Sequence, residues 1–404
     1  MGRDPAGERL KMPSKTPGFV GARLREAREV RNLRAVELSE MLGVSPQAVS
    51  AYETDKKTPS PAVAESIVRI LNLPPEFFTT PDERGELEGL PFFRSMSAAT
   101  KQARTRAARR ERWLEQITDY LGGIVSFPDV NFPDLSPPAD PLMLTDDEIE
   151  HFAEDARKHW GMSEGPINNM VYLLENQGAI VARDSFGAAT LDSLTVVSPS
   201  SRPFVMIGTD KGTSVRWRFD AAHELGHVLL HANLDRRRLT KTADFKRIEE
   251  QAHRFAGAFL LPAAPFADDF FAASLDTLQE MKPRWKVSIG AMMMRAKQLD
   301  LMPEQTSRRM WINYSRRGWR RSEPLDDVMP PEIPRLLYKA VDLFLGDGVH
   351  NADDLRAGVR LSDRDIEALC SLPEGHLSGI AHAPVGLRED HAENAQIIHF
   401  PRQS

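Results

Sequence analysis

The spacing of apolar positions divides the chain into a helical front, a mixed middle and a helical end. Residues 18–78 repeat apolar side chains at helical intervals, and Thr79, Thr80, Pro81 and Asp82 close that unit. A basic amphipathic segment follows over 97–121, with Trp113, Leu114, Ile117 and Tyr120 on one helical face. Pro128, Pro133, Pro137 and Pro138 then mark a connector over 127–141. From 145 to 262 helix and strand patterns alternate. Thr145 with Glu148 three residues on has the form of a capping box and predicts a helix start. Residues 178–182 and 203–208 read as short strands. Helical patterns carry 223–231 and 248–261, the second with Ile248, Ala252, Phe255, Ala256 and Phe259 on one stripe. Past Pro324 prolines again punctuate the chain, a helix is expected over 334–345, and the tail from Pro384 reads as loosely ordered. No internal repeat is present. The expected organisation is a disordered lead-in at 1–15, an all-α unit at 16–80 and a basic helix with linker at 81–144. An α+β domain at 145–324 and a mostly helical C-terminal region at 325–404 complete it.

Composition narrows the class. A chain of 404 residues accommodates two or three domains, and 41% hydrophobic with 27% charged residues is the balance of globular protein rather than of disorder. No apolar run is long enough to span a bilayer, so no membrane partner is expected. The polar start from Met1 to Pro5 leads into no signal-peptide core. Cys370 is the lone cysteine, which excludes an internal disulfide and thiolate metal clusters; a reducing cytoplasm is expected. The net charge of −6 does not suggest a nucleic-acid binder by itself. Positive charge is nonetheless concentrated in two runs. One comprises Arg94, Lys101, Arg104, Arg106, Arg109, Arg110 and Arg112; the other comprises Arg308, Arg309, Arg316, Arg317, Arg320 and Arg321. Both are expected to be solvated helix faces.

The sharpest chemical signal is His223-Glu224-Leu225-Gly226-His227. Positions i and i+4 share a helix face, so both imidazoles can reach one metal ion. Glu224 lies beside the first of them and can take a proton from a water activated by zinc. With 11 histidines in the chain, a chance match is expected on the order of one time in fifty. A third ligand is required to leave one open position. Were it a histidine ten residues after His223, Asn233 would have to be His, and the glycine of that pattern is Leu230 here. A downstream glutamate is the better choice, and composition leaves Glu249 and Glu250 both open.

The HExxH helix, followed by Glu249-Glu250-Gln251-Ala252-His253-Arg254-Phe255-Ala256 and then Leu260-Leu261-Pro262, resembles the ImmA/IrrE-like metallopeptidases. The resemblance implies a zincin-like fold, a zinc cofactor held by His223, His227 and Glu249, and Glu224 as catalytic base. It extends over roughly 145–324 through Arg218-Phe219-Asp220, the strand at 204–207, Trp285-Lys286-Val287-Ser288 and residues 292–301, although only the two helices are specific. The family usually has Asn where this chain has His253. For that histidine two readings stand, a surface position or one that touches the metal or orients a ligand; for His231 a supporting or solvent-facing position is expected.

Residues 33–53 hold a second motif. Leu38, Leu42, Val44 and Val49 are spaced to pack two short helices, and Gly43 supplies the turn. Ser45 is a good N-cap, and Pro46 suits the first helical position. The segment resembles the Cro/CI-type (XRE-like) helix-turn-helix, whose second helix enters the major groove. That resemblance puts Gln47, Ser50 and Ala51 at bases and Lys56, Lys57 and Arg28 at phosphates. The glutamine that the family often has near Ala35 is absent, and Pro46 removes a polar group from the leading edge; both changes imply altered base reading. The fold class expected is therefore multidomain: an all-α helix-turn-helix unit, an α+β zincin-like domain and a mostly helical C-terminal region.

Taken together, the two resemblances imply a DNA-binding regulator with a zinc metallo-endopeptidase domain, its substrate a protein such as a helix-turn-helix repressor. A homodimer is expected because such units commonly read paired half-sites. The alternative is a transcription factor whose metallopeptidase-like domain is a non-catalytic sensor or interaction module.

Overall fold

The computed structural model describes residues 16–82, the backbone of Phe92–Phe93, and residues 100–379 apart from 189, 199, 211, 233 and 235–241. The lead-in and the tail from Pro384 lie outside the described residues, as do Arg94 and Asn233. Five helices open the chain: α1 (Gly21–Val30), α2 (Ala35–Leu42), α3 (Pro46–Glu53), α4 (Pro61–Leu71) and α5 (Pro75–Thr79). Strand β1 (Phe92–Phe93) and the long α6 (Lys101–Gly122) follow, and a single 3-10 turn at Pro141–Met143 ends the proline-marked connector. The middle runs α7 (Asp146–His159), α8 (Met170–Asn176), β2 (Ile180–Asp184), β3 (Ser193–Val197), β4 (Pro203–Gly208), α9 (Ser214–Leu230) and α10 (Thr242–Leu260). Helices α11 (Ala263–Asp269), α12 (Leu275–Trp285), α13 (Ile289–Gln298) and α14 (Glu304–Arg316) continue it. The chain closes on α15 (Leu336–Gly346), α16 (Ala352–Val359) and α17 (Asp363–Leu369). This is a helical front, a small mixed sheet with helices and a helical end, the fold class expected. Among the described residues no helix is long and apolar enough to cross a membrane.

Local chemistry sets the boundaries. Thr145 and Glu148 form the reciprocal capping box of α7, with Thr145 N–H donating to the Glu148 carboxylate at 2.8 Å. Gly43 takes φ +66° between α2 and α3, and Ser45 Oγ accepts from Ala48 N–H at 3.2 Å.

The sheet has the order β1-β3-β4-β2. Only β2 and β4 are parallel; β3 is antiparallel to both of its neighbours. Strand side chains alternate between two buried faces. Ile180, Ala182, Leu194, Phe204 and Met206 pack into one core with α6, the first five helices and α15–α17. Val181, Val205 and Ile207 face the opposite core, built from α7 to α14. The sheet thus divides two hydrophobic layers, and the C-terminal helices return to the side of the helix-turn-helix.

The first basic run departs from the expectation of a solvated face. On α6, Ala103, Ala107, Trp113, Leu114, Ile117 and Leu121 are buried, and Arg110 is buried with them. Arg110 reaches Asp184 of β2 at 2.5 Å and Asp365 of α17 at 2.6 Å, while Arg109 pairs with Glu29 of α1 at 2.9 Å. Arg31, just past the end of α1, grips the same Asp365 with two bonds of 2.7 and 2.9 Å. Packing of α6 between α1 and the sheet takes these cations out of water, and carboxylates from three elements compensate them. The second run, on and after α14, is exposed as expected.

Candidate metal centre

Helix α9 carries the pentapeptide through the second core, where His223, Glu224 and His227 are each at most 1% exposed. Helix α10 crosses against it closely at Gly226. A Cβ built there would lie 3.2 Å from Ala252 Cα and 3.3 Å from Phe255 Cβ. The glycine therefore sets the separation that brings α10 within reach of the α9 imidazoles. Glu249 comes from α10 into this space, whereas Glu250 is exposed and 3.6 Å from Lys246.

Three donor atoms converge. The Nε2 atoms of His223 and His227 stand 3.0 Å apart, and the Glu249 carboxylate oxygens lie 3.5 Å and 3.3 Å from them. Tetrahedral zinc with bonds of about 2.0–2.1 Å spaces its ligands about 3.3 Å apart, so the arrangement fits that ion. The protonation states fit as well. Burial holds His223 well below the ordinary histidine range, as a neutral ring. Burial acts to raise Glu249, but the imidazoles of His223 and His227 beside it outweigh that and hold the carboxyl below its ordinary range, ionised.

His231 takes the supporting position of its two expected ones: it is fully buried and stands behind His227. The Gln251 side-chain amide donates to Pro141 O at 2.8 Å, so its oxygen accepts from His231 Nε2 at 3.0 Å. His231 Nδ1 is then the acceptor facing His227 Nδ1, also at 3.0 Å. This chain places a proton on His227 Nδ1 and leaves a lone pair on Nε2, the atom that faces Glu249. Burial lowers His231 to about 3, so it stays neutral and able to accept.

Strand β3 contributes to the site without a sequence motif to mark it. Ser193 and Thr195 of β3 donate their hydroxyls to the two oxygens of Glu224, each at 2.5 Å. Burial raises the Glu224 carboxyl above its usual range, against these hydrogen bonds. Polar residues at alternate positions suggest a solvent face, but here that face meets a buried carboxylate. The signal that could have exposed it is the Ser-x-Thr alternation between two strands that were recognised.

His253 takes the position beside the site rather than the surface one. It is half-buried, not on the surface, with its ring 4.5 Å from that of His223 and 5.9 Å from that of Phe219.

At the other end of the molecule, Gln47, Ser50, Lys56 and Lys57 are exposed on and just after α3, and Ala51 is half-buried. Arg28 is a correction. Its guanidinium donates to Glu53 at 2.5 and 3.0 Å and to Leu33 O at 2.9 Å, because Glu53 is buried and needs a cation. That arginine ties α1 to α3 and does not extend toward a phosphate.

Comparison with known families agrees with both halves. Residues 24–78 match the helix-turn-helix family, and residues 174–297 match the IrrE N-terminal-like domain of the M78 peptidases. No curated protein matches the chain. It therefore carries an XRE-type helix-turn-helix unit followed by a metallopeptidase-like domain of the ImmA/IrrE kind.

Proposed function

We propose that the protein is a DNA-binding regulator whose IrrE-like domain holds zinc on His223, His227 and Glu249 and cleaves a peptide bond in a protein substrate, such as a helix-turn-helix repressor. The convergence of those three donors at tetrahedral spacing, beside Glu224 on the same helix, carries the reading. Bound zinc would lower the pKa of water to about 7 and polarise the scissile carbonyl. Glu224 takes the proton from the attacking water and returns it to the leaving amine. Ser193 and Thr195 hold that carboxylate through both oxygens, and the His231–Gln251 pair keeps His227 in the tautomer that offers Nε2.

The test is zinc content and cleavage of candidate repressors by wild type beside Glu224→Gln. Zinc in both with cleavage only by wild type supports the peptidase. Zinc in both and cleavage in neither, across a broad substrate panel, favours the second reading, a sensor domain acting on transcription. The ion network joining Arg31 of the helix-turn-helix unit to β2 through Asp365 and Arg110 supports that second reading, since it physically couples the two halves. Absence of zinc from carefully prepared wild type counts against both.

For DNA, we propose that α3 enters the major groove with Gln47, Ser50 and Ala51 toward bases and Lys56 and Lys57 toward phosphates, in a homodimer that reads two half-sites. Gln47→Ala should relax sequence preference more than it weakens total affinity.

A further inference from the structure

His253 is one helical turn beyond Glu249 on α10, and its ring is anchored. Nδ1 lies 2.9 Å from Glu249 O. A backbone carbonyl only accepts, so Nδ1 carries the proton and the neutral ring keeps its lone pair on Nε2. That is the tautomer of a histidine prepared to bind metal through Nε2, with the second-nitrogen hydrogen bond that metal-ligating histidines ordinarily make.

Its location matches. Ligand-capable atoms of His223, Glu249 and His253 all lie within 4.8 Å of one another. The ring meets His223 edge-on, at 74° between planes. His223 and His227 are sealed in the core, whereas His253 is half-buried, so it occupies the solvent side of the donor cluster. This is the side on which a three-ligand site keeps its open position.

We propose that His253 is a fourth protein ligand that closes the metal site, turning a two-histidine, one-carboxylate centre into a three-histidine, one-carboxylate centre. The inference rests on the zinc reading of His223, His227 and Glu249 and adds a state to it. With His253 bound, zinc has four protein donors, the arrangement of structural and sensing sites; with His253 withdrawn, one position is free for chemistry. Leaving the ion requires only that the His253 side chain move on the solvent side, while His223 and His227 stay fixed by the core.

X-ray absorption on the zinc-loaded full-length protein counts the imidazoles around the ion. Three in wild type and two in His253→Asn are expected, with zinc affinity in chelator competition falling about tenfold or more in the variant. The cobalt-substituted proteins supply an independent reading: visible absorption of four-coordinate intensity should weaken in the variant as a protein ligand is replaced by solvent. Two imidazoles in wild type, with zinc bound one to one, overturn the fourth ligand and leave the three-ligand reading standing. Equal affinities and identical cobalt spectra in the two proteins do the same. Failure of wild type to bind zinc overturns both. The imidazole count in wild type decides the matter even if the variant folds poorly.

Discussion

Two arginine-rich segments that look alike in sequence have opposite fates in the fold. On α6, Arg110 is buried on one side of the sheet and is compensated by Asp184 and Asp365; on and after α14, Arg308, Arg309, Arg316, Arg317, Arg320 and Arg321 stand in water. Charge density does not separate them. What does is the apolar stripe: α6 interleaves its arginines with Ala103, Ala107, Trp113, Leu114, Ile117 and Leu121, a face wide enough to be covered on two sides. In α14 the buried set is Ser307, Met310 and Tyr314, a narrow seam that leaves the arginines outside. A cation drawn into a core must find carboxylates there, and those come from segments 74 and 255 residues away.

The contrast can be broken most directly at Arg110. Arg110→Ala leaves Asp184 without this partner and Asp365 with Arg31 as its one close arginine, and should destabilise the protein by about 3–5 kcal/mol. The urea midpoint followed by circular dichroism reads this; a loss below about 1 kcal/mol would class the network with exposed pairs.

The same interior gives a pH test at Glu175, which accepts from Arg335 and Leu336 N–H at 2.9 Å each. Burial pushes its carboxyl up to about 7, against those hydrogen bonds. A raised acid favours the protonated form in the folded chain. Its contribution is therefore complete below the ordinary value near 4.5 and is lost as pH rises through about 7. Between pH 5 and 8 the wild type should lose about 2 kcal/mol that Glu175→Gln does not lose. Thermal melts of both proteins at the two pH values compare them directly, and parallel curves would refute the assignment.

A smaller effect separates Arg28 from the exposed lysines. Arg28→Ala should cost about 2 kcal/mol by leaving buried Glu53 with only the longer 3.7 Å contact to Arg25, without lowering the salt dependence of DNA binding. Lys56→Ala should leave stability nearly unchanged and reduce the salt slope by about 1. Titrations at several salt concentrations, with melts of the free proteins, would reverse the two roles if Arg28 carried the salt effect. The smallest change is expected at Arg316→Ala, within about 0.5 kcal/mol of wild type.

Much of the site was legible because its residues are close in sequence. The i, i+4 histidines, the intervening Glu224 and the Glu249 helix lie on two continuous elements whose periodicity shows in the chain. The same holds for the α2–Gly43–α3 turn, where a positive φ asks for glycine. Illegible parts depend on remote partners. Ser193 and Thr195 look solvent-facing until β3 is set against α9. His253 looks like a surface residue until its ring is seen against His223, and Arg28 looks available until Glu53 is found beneath it.

The sequence by itself determined the elements that carry the chemistry, because helix periodicity, caps and turn glycines are written within a few residues of one another. It also established the donor types, since imidazole and carboxylate can be recognised without knowing where they meet. The tertiary structure alone decided which tautomer His227 offers, which hydroxyls hold Glu224, and which arginines leave water. Each of these is decided by burial and by contact between segments distant in the chain, and neither quantity is encoded in local spacing.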